Sequence, residues 1–112
     1  MALFKIYQEK SGDFRILLKL NSQIEFISSR QKSKYDCYYL IKIIRKISEL
    51  ASSYIKKTSD CGSIYFKLVD KSYNKELGES MLYINDNMLN SKIEIMKLET
   101  ACAKLDSKMY SV

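Results

Sequence analysis

FKIYQEKSGDFRILLKL runs from Phe4 to Leu20, and YIKKTSDCGSIYFKLVD runs from Tyr54 to Asp70. The two stretches align without a gap, which sets Gly12 on Gly62 and Leu18 on Leu68. After a slip of two residues, Ile41 falls on Ile93, Ile44 on Met96 and Arg45 on Lys97. Self-similarity at this period means that one supersecondary unit is used twice. Residues shared by the copies therefore serve turns and core, and they speak to architecture before function.

Phe4 and Ile6 alternate with Lys5 and Tyr7, which predicts a strand over residues 3–7. Glu9-Lys10-Ser11-Gly12 reads as a turn whose glycine can take positive φ. From 13 to 20, Phe14, Ile16, Leu18 and Leu20 alternate with Asp13, Arg15 and Lys19, and Leu17 interrupts the polar side. Asn21-Ser22 is a two-residue turn into a third strand over 23–28, and such short connections permit only antiparallel pairing. Ser33 then reads as an N-cap. Behind it Cys37, Leu40, Ile41, Ile44, Ile47 and Ala51 form one helical stripe, with the helix ending near 51–53.

The second copy repeats the order, with strands over 54–58, 63–69 and 76–82. Asp86 or Asn87 is the expected cap of a helix striped by Leu89, Ile93, Met96, Thr100 and Ala103. Met88, Ile95, Leu98, Cys102 and Leu105 are expected to widen its apolar surface, and 109–112 to be a tail able to add an edge strand. The reading is an α+β fold of tandem βββα repeats, about 3–52 and 54–105. They share one antiparallel-rich sheet covered on one face by two helices. No linker composition separates the copies, so 1–112 is read as a single domain.

Forty-six per cent hydrophobic residues and no apolar run near the roughly 20 needed to cross a bilayer point to a soluble chain. The segment MALFKIYQEK lacks a basic stretch followed by an apolar one, so no signal peptide is expected and a cytoplasmic location is the default. Histidine is absent, which removes the commonest general base near neutral pH and excludes Ser-His-Asp and Cys-His arrangements. Cys37, Cys61 and Cys102 have no CxxC spacing. Cys37 and Cys102 are expected to pack on helices, and Cys61, beside Gly62, to be the exposed thiol. Neither a metal nor a cofactor is expected, and no catalytic residue is assigned.

The residues Phe4-Lys5-Ile6-Tyr7, Gly12-Asp13-Phe14-Arg15, Lys34, Cys37 and Ile41 resemble the first repeat of the YegP-like proteins. In the second half Tyr54, Lys57, Thr58, Ser59, Gly62, Tyr65, Phe66 and Leu68 match the same family, followed by Ser80, Tyr83, Ile93, Met96 and Lys97. The resemblance covers about residues 3 to 104. It implies small bacterial proteins of unknown function with β(3)-α repeats sharing one sheet, and it supplies no catalytic residues. Its usual Asn-Gly turn reads Asn21-Ser22 in one copy and Tyr73-Asn74-Lys75 in the other. The Asn-Gly on its helices becomes Tyr39-Leu40 and Ser91-Lys92.

Alternation places Tyr7, Arg15, Leu17 and Lys19, then Tyr65, Lys67 and Val69, on the sheet face away from the helices. That face is the candidate binding surface, for a protein partner or a second copy of the chain. The alternative is nucleic acid or another polyanion, because tyrosines among cations on a sheet can stack bases and the net charge is +6. Lys42, Arg45 and Lys46, with Lys56 and Lys57 beyond, form the densest basic cluster and a candidate anion site.

Overall fold

The two quoted stretches become two antiparallel strand pairs in the computed structural model, which describes the backbone of residues 1–111 and the side chains of residues 1–106. The first unit comprises β1 (Ala2–Gln8), β2 (Phe14–Leu20), β3 (Gln23–Ser28) and α1 (Lys34–Ile47). The second comprises β4 (Tyr54–Thr58), β5 (Ile64–Asp70), β6 (Lys75–Ser80) and α2 (Asp86–Glu99), and β7 (Lys104–Ser111) follows. The strands make one sheet in the order β4-β5-β6-β3-β2-β1-β7. All neighbours are antiparallel except β1 and β7.

One face carries the core. Phe4, Ile6, Ile16, Leu18, Phe66 and Leu68 are buried there beneath Cys37, Leu40, Ile41, Ile44 and Ile47 of α1 and Leu89, Ile93 and Met96 of α2. Each helix starts at a side-chain cap. Ser33 Oγ accepts from Asp36 N at 3.1 Å, and Asn85 Oδ1 accepts from Met88 N at 2.9 Å.

Several expectations are corrected at the helix ends. The first helix stops at Ile47, with Ser48 as C-cap, and Ala51–Ser53 is a separate 3₁₀ turn in which Ala51 is exposed. The second cap is Asn85 rather than Asp86 or Asn87. Cys102 lies in a 3₁₀ turn, Thr100–Cys102, and is exposed, because the change of helix type rotates it off the apolar stripe. Met88 and Leu98 are likewise exposed and widen nothing. The tail is a full strand that begins at Lys104, so Leu105 belongs to β7; residue 112 lies outside the described residues.

The units meet at β3 and β6, where Phe26 pairs with Ser80, Ile27 with Glu79 and Ser28 with Gly78. Phe26 and Gly78 hold equivalent places in the aligned copies, as do Ser28 and Ser80, so the seam has an approximate two-fold axis at Ile27–Glu79. The surrounding bonds follow the same symmetry. Ser28 Oγ accepts from Ile16 N at 2.8 Å, and Ser80 Oγ accepts from Phe66 N at 3.0 Å. In both units a side-chain hydroxyl satisfies a buried ladder amide.

Each unit also has a bulge at the same place. Register jumps from Leu18–Phe26 to Lys19–Ile24, which leaves Glu25 over, and from Leu68–Gly78 to Val69–Glu76, which leaves Leu77 over. A bulge breaks alternation, so Glu25 and Phe26 are buried in succession, as are Leu77 and Gly78. Glu25 is thereby carried inward. Its carboxylate accepts from Lys92 Nζ at 2.8 Å and from Tyr83 Oη at 2.9 Å. Burial, and then this carboxylate, raise the Tyr83 phenol above its ordinary pKa. At the equivalent places the other half has the buried apolar residues Leu40 and Leu77.

Gly78 exists for a packing reason. A Cβ there would stand 2.5 Å from the Ile27 carbonyl oxygen and 2.6 Å from Phe26 Cζ. The Phe26 ring lies over the space that a side chain at position 78 would need.

Candidate partner-binding face

The face opposite the helices is built row by row from strand register. Lys5, Leu17, Ile27, Glu79, Lys67 and Ile55 stand side by side across β1, β2, β3, β6, β5 and β4. Leu17 and Ile27 form its aliphatic centre, both part-buried. Flanking this row, Tyr7 pairs with Arg15, Leu3 with Lys19, and Tyr65 with Lys57. All six residues predicted for the face, Tyr7, Arg15, Leu17, Lys19, Tyr65 and Lys67, occupy it and are part-buried.

They do not form one platform. Tyr7 on β1 and Tyr65 on β5 are separated by β2, β3 and β6. Four strand spacings of about 4.8 Å put them roughly 19 Å apart across the sheet. Stacked bases cannot bridge that gap continuously.

Several cations of the face have carboxylates beside them. Arg15 Nε lies 3.5 Å from Glu9 Oε1, and Arg30 Nε donates to the same oxygen at 2.7 Å. Lys67 Nζ is 2.8 Å from Glu76 Oε1 and Lys5 Nζ is 3.6 Å from Asp106. The bond to Glu76 raises the Lys67 pKa, and that to Glu9 raises Arg30. Pairs of this kind, still reached by water, add modest stability and offset the local positive field. Lys19 forms no ion pair among the described residues.

A hollow of about 350 Å³ opens on the seam, with Arg15 and Arg30 on one bank and Glu76 and Glu79 on the other. Sequence reasoning missed Ile27, Arg30, Glu76 and Glu79 here. Alternation along residues 23–28 alone cannot place Ile27, since the bulge at Glu25 reverses it, and the pairing of β3 with β6 is long-range.

The predicted anion cluster is not brought together. Arg45 turns inward: its Nη2 donates to the Ala103 carbonyl at 2.7 Å and its guanidinium lies 5.5 Å from the Phe4 ring centroid. Lys42 and Lys46 are exposed on α1, while Lys56 and Lys57 stand on the edge strand β4. Lysines on an edge strand discourage pairing with another chain.

Of the thiols, Cys61 is exposed on the β4–β5 turn with Ser59 Oγ 3.1 Å from its Sγ. Hydrogen bonding from Ser59, then from the Ser63 backbone, lowers it to about 7. Burial pushes Cys37 up to about 11. Among the described residues no group of three or more His, Cys, Asp or Glu side chains could hold a metal ion. No helix there is long and apolar enough to cross a membrane.

No family model matches the chain. It is, however, 30% identical over 104 residues to a UPF0339 protein from the 5′ region of the ptx operon of Stutzerimonas stutzeri, an alignment covering 91% of this chain and 92% of that protein. The chain belongs to the UPF0339 family. The fold agrees with the solution structure of yegP from E. coli, a protein of unknown function, at a TM-score of 0.87 and 23% identity over 98% of this chain and 93% of that one. It also agrees with a UPF0339 protein from Shewanella oneidensis at a TM-score of 0.81 and 15% identity over 98% and 90% of the two chains. At these identities the likeness is one of fold.

Within this UPF0339 chain Asn21 and Ser22 join β2 to β3. Asn21 and Ser22 both have positive φ, 51° and 71°, as a two-residue hairpin turn requires, so serine holds a place that suits glycine.

Proposed function

We propose that this UPF0339 chain is a non-catalytic binding module that receives a protein partner on its uncovered sheet face. The observation that carries this reading is the pairing of Arg15, Lys67 and Lys5 with carboxylates around an aliphatic centre of Leu17 and Ile27. A surface on which several cations already sit beside carboxylates, with apolar side chains between them, suits burial against another protein. Polyanion binding draws its affinity from cations free to meet phosphates, and these are engaged. A reducing compartment such as the cytoplasm fits three unpaired cysteines.

Photo-crosslinking in cells tests the reading. A photoreactive phenylalanine analogue replaces Tyr65 in one variant, Tyr7 in another, and the exposed helix residue Tyr35 in a control. A discrete protein adduct from positions 65 and 7, absent at 35 and lost with Leu17→Asp, is expected. Absence of any adduct from either face position refutes it. Oligonucleotide binding that weakens steeply with salt transfers the face to the polyanion reading.

A further inference from the structure

A second surface lies on the helix side of the sheet. Between α1 and the β5–β6 connection runs a groove of about 700 Å³, floored by Ile43, Ile47 and Leu77. Its size falls within the range of known ligand sites. Tyr39, on the helix, is 68% exposed, and Tyr73, on the connection, is 81% exposed. Together with the floor they line one largely apolar groove, and contiguous exposed apolar surface marks interaction sites.

Charge identifies the occupant. Lys46 lines the groove from α1 and Lys75 from β6. Lys42 precedes Lys46 by one helical turn, and Lys71 sits in the connection. None of these four has a carboxylate ion-pair partner among the described residues, in contrast to Lys5, Arg15 and Lys67 of the sheet face. An occupant lying between the two banks meets positive charge on both sides and an apolar middle. The groove also holds the buried Asp70, whose Oδ1 accepts from Ser72 N at 3.1 Å. A carboxylate lining the groove can accept further N–H groups from an occupant. Spaced acids, an apolar side chain and amide donors occur together in a peptide.

We infer that this groove binds an acidic peptide segment of a partner protein that inserts an aromatic or aliphatic side chain between Tyr39 and Tyr73. The site is independent of the sheet face. Its location also gives Lys42 and Lys46 a role without Arg45, which is committed to the Ala103 carbonyl.

The test uses the whole chain and a fluorescein-labelled peptide of alternating glutamate and leucine with one central tryptophan, compared with the same peptide carrying lysine for glutamate. Fluorescence polarisation is expected to show saturable binding of the acidic peptide alone. Affinity should fall at least about tenfold in Tyr73→Ala and in Lys46→Glu, and stay unchanged in Leu17→Asp. Because Tyr73 and Lys46 are exposed, both variants keep the fold, which circular dichroism checks. Amide NMR shifts should move at Ile43, Lys46, Ser72 and Tyr73. Equal binding of both peptides, no binding of the acidic peptide, or shifts confined to β1 and β2 overturns the proposal.

Discussion

Lys92→Leu isolates the buried charge pair that joins the first unit's bulge to the second unit's helix. The carboxylate side chain of Glu25 is 6% exposed and the Lys92 side chain 28%, with 2.8 Å between the charged atoms. Removing one partner of a buried pair typically costs about 3–5 kcal/mol. Water reaches the ammonium, so the expected loss lies lower, at about 2–3 kcal/mol. The double variant Glu25→Leu, Lys92→Leu copies the other half of the molecule, where Leu77 and Leu40 hold these places. Replacing a pair by apolar groups is neutral or gains about 1–4 kcal/mol, whereas the Tyr83 hydroxyl loses its acceptor at about 1–3 kcal/mol. The double variant should therefore fall within about 1 kcal/mol of wild type, and adding Tyr83→Phe should recover any remaining deficit. Urea unfolding followed by circular dichroism measures all four proteins at a common slope. The reasoning fails if Lys92→Leu is as stable as wild type, or if the double variant is no more stable than Lys92→Leu.

Gly78→Ala should lower stability by about 1–3 kcal/mol, since two of the three nearest atoms to the new Cβ are the Ile27 oxygen and Ser28 Cα of the backbone. An unchanged denaturation midpoint would show that the seam can yield. Cys61 should be alkylated by iodoacetamide at a rate that rises through pH 7 and levels above it, because only the thiolate reacts. At pH 6 the rate should be about a tenth of the plateau, and buried Cys37 should stay unlabelled in the folded protein. Peptide mapping by mass spectrometry follows both, and a Cys61 midpoint at the ordinary value of about 8.5 contradicts the role given to Ser59.

Local patterns in the sequence were enough to read the strands, the meander of each unit and the apolar stripe of α1. The facing of β2 could be read because the bulge sits on the partner strand, whereas β3 was legible in its extent, 23–28, but not in which side chains turn inward. The inward turn of Glu25 depends on one extra residue opposite Leu18 and Lys19, and its neutralisation depends on a lysine 67 residues away. Neither leaves a local trace. The open face was legible by residue, since Tyr7, Arg15, Leu17, Lys19, Tyr65 and Lys67 all lie there. Its electrostatics were not, because Glu9 and Glu76 reach Arg15 and Lys67 from turns and strand ends. Arg45 was misleading for a related reason: a helical cation reads as solvated until a carbonyl from the far end of the chain is placed beside it. The aligned residues Leu40 and Lys92 both serve packing: Leu40 lies in the core and Lys92 neutralises the buried Glu25.

Phe26 and Gly78 make the two units a knob and a hole. The knob occupies what would be its own counterpart's place, so two first units facing each other across the same seam would drive ring into ring. Two second units would leave the space of both rings empty. Within the single polypeptide the seam therefore fits unlike halves better than like ones. One ring and one missing side chain thus turn two similar strand edges into complements of one another.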